Sequence, residues 1–567
     1  MPTSTLKNAF RLSALSIAAF LAAQSFAALP EMRVTTQNRA AITSTQVNRQ
    51  MGAGNCQAAN LFSHKYTAMS FSLTDPANPD NNFSVSSFKD SIRGRGNSTS
   101  ATNISKKPYR LKFDEHKSMF GSKKHRSWAL LANWYDPSFA LNAVAFELGR
   151  RLGLPGTPKY YFVDLYINDS YKGIYQMTDL VQVNKGRVDV DEREGWLVEF
   201  DYHCPSNSDE IDFNTDYPNN PQDAKLHTYI KSPEDLPNAS DYQFVKNQVN
   251  QLTRAMFANQ QTNGKSFPEN GYRDLIDLES MAKYVMIQMF MDNFDFNNKA
   301  MASGTSIVQG STVAAPASNF MHKDKNGRIF AGPLWDLDLA AGVDNQRNFP
   351  KHYQYYDYSI KPKHPFYLKF FDDPVFLAKW KKAWDNNVNI FRAMTGVMDS
   401  IATIVEGSVE RNFALQNGGG NGTPCTNPYM CGGGGGGMTP DAPATKQAYK
   451  DEIGKLKTWW NNRINYYSQE LGRLNIDVSK DITQSPTSTV ERPLLTRNGL
   501  SVVKNGLRIK ASSNVSIKVF SLTGNVIRKQ TLAAGNHTVS LNDLPRGIYL
   551  AKVNANGVKQ TVKVAVR

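Results

Sequence analysis

Ile92-Arg93-Gly94-Arg95-Gly96-Asn97-Ser98-Thr99, followed closely by Lys106-Lys107-Pro108-Tyr109-Arg110-Leu111-Lys112-Phe113, is the stretch on which the reading of this chain turns. The first part reads as a turn, since glycine reaches backbone conformations closed to other residues. The second reads as a basic strand over residues 109–113. Glycines let a backbone approach phosphate oxygens, and Arg93 and Lys107 supply fixed positive charge for a clamp on the α- and β-phosphates of a nucleotide. Alone, a lysine on an edge strand is commonly a solvated guard against aggregation, so Lys107 counts only in company.

Around this stretch the pattern is mainly that of strands. Short alternating runs, such as residues 66–73, fill positions 32–91 and are broken by the turn-rich segment 75–80. Residues 160–167, 173–177 and 196–200 add strand candidates rich in Tyr, Val, Ile and Phe, predicting a mixed or antiparallel sheet in the first third. Between them Asp136-Pro137-Ser138 opens a helix with Phe139, Val144, Leu148 and Leu152 on one face, ended by Gly153 and Pro155. After about residue 240 the period changes. A nearly all-apolar helix holds Met281, Tyr284, Val285, Ile287 and Phe290, and residues 375–384 and 401–413 read as helices. Tyr449, Ile453, Leu456, Trp460, Ile464, Tyr467 and Leu471 predict a long amphipathic helix over 445–473.

Two further segments carry chemistry. Asp292-Asn293-Phe294-Asp295-Phe296-Asn297-Asn298-Lys299 emerges directly from the apolar helix. A carboxylate that orients an acceptor hydroxyl and an amide a few residues later that assists a metal are recurrent parts of phosphoryl transfer, which suits Asp295 with Asn298 or Asn297. Without support the same residues read as a cap or Asx turn. The support is Ile329-Phe330-Ala331-Gly332-Pro333-Leu334-Trp335-Asp336-Leu337-Asp338, preceded by the turn 323–327. A strand-like Asp-x-Asp points both carboxylates to one face, as a hard cation such as Mg²⁺ requires. Two carboxylates among apolar neighbours are costly without a cation.

These segments, in this order, resemble the CotH (spore coat protein H) kinase family. The likeness runs through the Arg-Gly-x-Gly-Asn-Ser-Thr and Lys-Lys-Pro-Tyr-Arg-Leu-Lys-Phe segments, Trp128-Ala129-Leu130-Leu131-Ala132-Asn133, Tyr171-Lys172-Gly173-Ile174-Tyr175, Ile230-Lys231-Ser232-Pro233-Glu234 and Trp335-Asp-x-Asp338, over roughly residues 40–475. It implies an α+β, two-lobed atypical kinase that takes ATP with Mg²⁺ or Mn²⁺. The implied roles are Lys107 on the ATP phosphates, Arg93 and Asn97 beside it, Asp295 as catalytic-loop aspartate, Asp336 as metal ligand, and Asp338 and Asn298 as further ligands or support. The chain departs from the family pattern in two places: Asp179 replaces the glutamate after the Gly-x-Tyr strand, and a Ser-, Thr- and Ala-rich insertion fills 298–319.

The ends of the chain speak for export. Lys7 and Arg11, an apolar run over 12–23, and Ser25-Phe26-Ala27 before Ala28 predict a secretory signal over residues 1–27. No later stretch is expected to span a membrane. The domain expected over 28–478 carries a Gly-rich insertion near 417–438, which lacks the strand and Gly-Lys-Ser/Thr of a phosphate loop. Inside it Cys425 and Cys431 are the preferred disulfide among the chain's four cysteines, Cys56, Cys204, Cys425 and Cys431. Residues 479–495 read as a linker, and 496–567 as short strands of a small β-sandwich. With Leu-Thr-Gly at 522–524 and Leu544-x-x-Gly-Ile-Tyr-Leu550, that tail resembles the type A sorting domain of type IX secretion cargo, implying secretion machinery as a partner and passage through the periplasm to the surface. A generic carbohydrate-binding module has the same periodicity.

Composition sets the outer limits. With 40% hydrophobic and 20% charged residues the chain is globular rather than disordered or fibrous. A net charge of +15 suits phosphates, acidic polysaccharide, nucleic acid or a membrane surface, or is only a solvated basic face. No nucleic acid is expected among its partners. The expected function is phosphoryl transfer from ATP to Ser, Thr or Tyr of a surface or secreted protein. The rivals are a catalytically silent surface scaffold on the same fold, and an adhesive protein whose Asp-rich loops hold Ca²⁺ and whose aromatics stack on sugars.

Overall fold

The structure is a computed structural model that describes residues 28–46, 62–96, 98–100, 104–201, 211–217, 225–297, 316–343, 359–417, 443–484 and 500–566, apart from short gaps at 235, 237, 258–260, 263–264, 267, 270, 504–505, 512–513, 522–525, 546 and 556–557. The signal segment 1–27, all four cysteines, the Gly-rich insertion, Asn97 and Asn298 lie outside the described residues. The chain forms two compact units, Met1–Thr483 and Gln484–Arg567.

The first unit begins with β1 (Glu31–Thr36), β2 (Ser44–Gln46), β3 (Phe62–His64), β4 (Thr67–Thr74), β5 (Phe83–Gly94), β6 (Tyr109–Lys117) and β7 (His125–Leu131). Helix α1 (Leu141–Arg151) leads to β8 (Tyr160–Ile167) and β9 (Ser170–Asp179). The mixed or antiparallel sheet expected in the first third is a closed barrel of seven of these strands, in the order β1-β4-β5-β6-β7-β9-β8, and β2 and β3 pair separately. An odd ring cannot alternate throughout, so one neighbouring pair must be parallel. That pair is β1 with β8, which joins Glu31 to Asp164. Inward residues Met32, Met69, Ile92, Leu111, Trp128, Val163 and Met177 fill the barrel.

A second, larger core follows. The strands β10 (Trp196–Phe200), β11 (Asp212–Asn214) and β12 (His227–Ser232) precede helix α2 (Gln243–Phe257). After a two-residue ribbon, β13 (Gln261–Thr262) and β14 (Lys265–Ser266), come α3 (Tyr272–Leu275), α4 (Leu278–Phe290), α5 (Phe294–Asn297), β15 (Asn319–Lys323) and β16 (Ile329–Ala331). Helices α6 (Pro365–Lys369), α7 (Pro374–Val405), α8 (Val409–Asn417) and α9 (Lys446–Arg473) complete the unit. The sheet runs β11-β12-β10-β15-β16, and its core includes the buried faces of α1, α4, α7 and α9.

Three local readings change. The helix after Asp136 starts only at Leu141, because Asp136 accepts from the Ser138 and Leu141 amides at 3.0 and 2.8 Å and holds the preceding turn. The two helices expected between 375 and 413 become the 32-residue α7 and a separate α8. Helix α7 is also long and apolar enough to cross a membrane, against the expectation that no stretch after the leader comes close. It carries Lys379, Lys381, Lys382, Asp385 and Arg392, while Phe376, Trp380, Phe391, Met394 and Met398 are buried in the core, the pattern of a core helix. Thr445 caps α9 by accepting from the Ala448 amide at 3.1 Å.

The second unit is all β. One sheet has the order β17 (Leu500–Val503), β18 (Gly506–Ala511) and β21 (Gly535–Ser540); the other runs β20 (Val526–Leu532), β19 (Val515–Phe520), β22 (Gly547–Ala555) and β23 (Val558–Val566). Leu507, Ile517, Val519, Val539, Ala551 and Val564 share one core between them. With 35% helix and 32% strand, the chain is α+β with an all-β end.

Where α8 docks on the barrel, Gly173 leaves no room for a side chain. Its φ is +111°, and a Cβ there would lie 2.5 Å from Asn412 Oδ1 and 2.9 Å from Lys106 Cε. Asn412 is fully buried and accepts from the Ile174 amide at 2.9 Å, so it cannot yield without losing that bond. Gly173→Ala is expected to destabilise the first unit by about 2–4 kcal/mol, from overpacking and backbone strain together, measured as a lowered denaturation midpoint.

Candidate active site

Asp295 owes its position to helix α4. Asp277 caps the helix start by accepting from the Ser280 amide at 2.7 Å, and eleven of the helix's side chains are buried. At the other end fully buried Arg463 of α9 donates to the Phe290 and Met289 carbonyls at 3.0 and 2.6 Å, placing a cation where the helix dipole is negative. The chain then turns through Asp292, φ +51°, into α5, which carries Asp295. The Asp295 carbonyl accepts from the Ala317 amide at 2.9 Å and from Asn319 Nδ2 at 3.4 Å. Tyr284 and Tyr367 donate to Asn319 Oδ1 at 3.1 and 3.3 Å, so its amide orientation is fixed from both sides.

Asp336 and Asp338 arrive differently from the expected strand. Strand β16 ends at Ala331, and Asp336 sits in the left-handed region with φ +59°, so pleat geometry does not aim the two carboxylates. Aspartate tolerates this conformation better than most residues. Tertiary bonds hold the segment instead. The Leu337 amide donates to Asn142 Oδ1 of α1 at 2.8 Å, Ser318 Oγ donates to Asp336 Oδ2 at 3.1 Å, and the Phe294 amide donates to the Leu339 carbonyl at 3.2 Å. The Ala341 amide closes the same junction on the Met291 carbonyl at 2.6 Å.

These bonds bring the three carboxylates into one electrostatic group. Burial, then Asp336, Asp338 and Asp201, push the Asp295 carboxyl well above its ordinary value. Burial, then Asp336 and Asp136, push Asp338 the same way, opposed by Arg95. The Arg95 guanidinium is drawn down by burial and back up by Asp336 and Asp338, and its Cζ lies 5.3 Å from the ring centre of Trp335. Trp335 in turn stacks on Phe146 of α1 at 6.1 Å.

The basic strand distributes its cations unlike the sequence reading. Arg93 bonds the Gly94 carbonyl at 3.1 Å and lies over the Tyr66 ring at 5.3 Å; it is Arg95 that faces the carboxylates. Lys107 Nζ donates to the Ser100 carbonyl at 3.1 Å, and burial lowers its ammonium to about 8. Its neighbour Lys106 is buried, donates to the Ile174 carbonyl at 2.6 Å, and is drawn down to about 7 by burial against the pull of Asp164. Asp179, standing where the resembling family has glutamate, pairs with Arg187 at 3.1 Å, both side chains buried, and accepts from the Lys159 amide at 3.1 Å.

Arg95, Asn319, Asn142 and Arg463 escaped the sequence reading. Only Arg95 left a signal, as the second cation of the Arg-Gly-Arg-Gly run; the others act across long separations. Among the described residues no three His, Cys, Asp or Glu side chains converge closely enough to hold a metal ion by themselves. Mg²⁺ is commonly held by one or two carboxylates plus substrate phosphates and waters, so the hard oxygen pair Asp336 and Asp338, each raised in energy by the other, suits it without a third protein ligand.

No curated protein matches the chain. Residues 503–567 match the secretion system C-terminal sorting domain, which brings interaction with the secretion machinery and export to the cell surface by the type IX route. Residues 92–467, about two thirds of the 567, match the CotH kinase protein model and include Arg95, Lys107, Asp295, Asp336 and Asp338. The protein therefore belongs to the CotH kinase family.

Proposed function

We propose that this secreted chain is a kinase that transfers the terminal phosphoryl group of ATP to a serine, threonine or tyrosine hydroxyl of a surface or secreted protein. The observation that carries the proposal is the electrostatic group formed by Asp295, Asp336, Asp338 and Arg95. Separate barrel and helical cores on either side of it support a two-lobed, atypical-kinase arrangement. Asp295 orients the acceptor hydroxyl and takes up its proton as the oxygen attacks; burial beside other carboxylates raises its proton affinity in the direction a base needs. Asp336 and Asp338 hold the divalent ion, Mg²⁺ or Mn²⁺, which when bound neutralises phosphate charge. Arg95, Lys107 and Arg93 supply cations for the phosphates, with Asn97 and Asn298 assigned beside nucleotide and metal. Because ATP is scarce outside cells, the transfer is placed before or during export, or uses another phosphate donor.

Nucleotide titration with and without Mg²⁺ tests the reading. Asp336→Asn should abolish Mg²⁺-dependent nucleotide binding, since an amide cannot supply the charge that offsets the cation's dehydration. Asp295→Asn should leave binding nearly intact and lower kcat about 10²–10⁴-fold, the usual range for a lost general base. Lys107→Ala should mainly weaken nucleotide affinity. Both Asp variants should keep or raise the denaturation midpoint, because each relieves repulsion among buried like charges. If the wild-type chain with Mg²⁺ or Mn²⁺ binds no nucleotide, or Asp336→Asn behaves as wild type, the silent surface scaffold becomes the better reading.

Deleting the chain from Leu500 onward should leave nucleotide binding unchanged and stop delivery to the surface, leaving the product in the periplasm. The second unit has its own core, so its loss should not unfold the first. Fractionation of cells carrying the truncated protein reads the outcome, and normal surface display would refute the sorting role.

A further inference from the structure

The β2–β3 hairpin lies against the Arg-Gly-Arg-Gly turn at several points, and both of its strands precede residue 92, where the family match begins. His64 Nε2 is 3.0 Å from the Gly96 carbonyl and His64 Nδ1 is 2.7 Å from Ser44 Oγ. A carbonyl can only accept, so Nε2 carries the hydrogen and Nδ1 accepts from the serine hydroxyl. Both ring nitrogens are thereby used by a neutral imidazole. Burial, with Arg93 and Arg95 nearby, keeps it neutral by drawing its pKa down to about 4 against the pull of the Gly96 bond.

Contact with Gly94 is equally close. A Cβ on Gly94 would lie 2.5 Å from Ser44 Oγ and 2.9 Å from His64 Nδ1, so the pair rests on bare backbone. Tyr66, just beyond β3, takes Arg93 over its ring. The hairpin segment therefore engages Arg93, Gly94 and Gly96, while Arg95 between them is left facing Trp335, Asp336 and Asp338. Inside the turn Ser100 Oγ already donates to the Arg95 and Gly96 carbonyls at 2.9 and 2.8 Å, and the Arg95 amide donates to the Pro108 carbonyl at 3.2 Å. The turn thus closes by its own bonds. What His64 adds is an external fix on where the closed turn sits.

We propose that His64 and Ser44 are positioning residues that hold the Gly94–Gly96 turn, and with it Arg95, in register with the carboxylate group. The benefit to nucleotide binding rests on the kinase reading; the anchoring of the turn does not. Amide hydrogen exchange of residues 94–100 in the ligand-free protein tests the anchoring directly. His64→Ala should speed exchange at the Arg95 amide about tenfold, the factor set by one net hydrogen bond, with the denaturation midpoint close to wild type. His64→Gln, whose amide nitrogen can reach the same carbonyl, should restore most of the protection, a rescue that loss of general packing would not give. Ser44→Ala removes only the hydroxyl and should give a smaller increase; it stands in if His64→Ala does not fold. In parallel, nucleotide affinity with Mg²⁺ should fall about tenfold in His64→Ala and recover in His64→Gln. Wild-type exchange in the folded variants would overturn the anchoring. Should the wild-type chain bind no nucleotide, the kinase reading fails and exchange alone decides the anchoring; should it bind, and His64→Ala bind equally well, the positioning role is overturned.

Discussion

Repulsion among partly buried carboxylates is the constraint that the rest of the first unit serves. Asp295, Asp336 and Asp338 each raise another's energy, and Asp201 and Asp136 add to the load. Left to relax, such a group separates or protonates. Its members are kept together by bonds made mostly to backbone: the Asp295 carbonyl by residues 317 and 319, the 337 amide by Asn142, the 294 and 341 amides by residues 339 and 291. The backbone, more than the carboxyl oxygens, carries the constraint, with Ser318 Oγ on Asp336 Oδ2 as a side-chain bond beside it. The left-handed conformation of Asp336 and Asp292 fits the same pattern, since unusual backbone persists where surroundings over-determine it.

The cost of that grouping is offset by rigid support from far along the chain. Arg463, fully buried, bonds the last carbonyls of α4 and so ties α9 to the Asp295 loop across more than 170 residues of sequence. Lys106 is a second buried cation whose described contacts are a carbonyl and two rings, Phe139 and Tyr175, at 5.1 and 5.0 Å. Cations satisfied by carbonyls and aromatic faces organise the fold without neutralising the carboxylates, which are left to Arg95 and to whatever binds.

Local chemistry was legible in the sequence; closure and direction were not. The bounds of β8, β10 and α9 follow from residue type and spacing within a few positions. Barrel closure depends on pairing residue 31 with residue 164, and nothing in either strand announces a parallel partner. The middle of α7 was hidden by Asp385, Asn386, Asn387 and Asn389, whose polarity masks the apolar stripe carried on through Phe391 and Met394. The acidic residues of the site stood out because carboxylates near apolar runs are unusual, yet the strand assumed for Asp336 was wrong: the strand stops five residues earlier. Which guanidinium of the Arg-Gly-Arg-Gly run faces the carboxylates was hidden for a related reason. With the strand ending at Gly94, the backbone turns there, and only tertiary contacts decide which guanidinium faces inward.

On the proposed reading the site divides its labour between two cores. Cations come from the barrel side, in Arg95 and Lys107, and carboxylates from the helical side, so a nucleotide with its metal answers both only if the two sides keep register. Apolar packing alone fixes such a register poorly, because greasy surfaces slide with little penalty. The junction is instead built from directional bonds between buried groups. Asp164 of β8 accepts from Ser408 Oγ at 2.6 Å and Arg411 at 2.8 Å, and Asn412 of α8 accepts from the Ile174 amide of β9 at 2.9 Å. Each loses its partner if the barrel shifts by more than a fraction of an ångström, and an unmade buried bond costs more than a made one contributes. Specificity of alignment, more than strength of adhesion, is what this polar seam provides, and it is the property a site assembled from opposite sides needs.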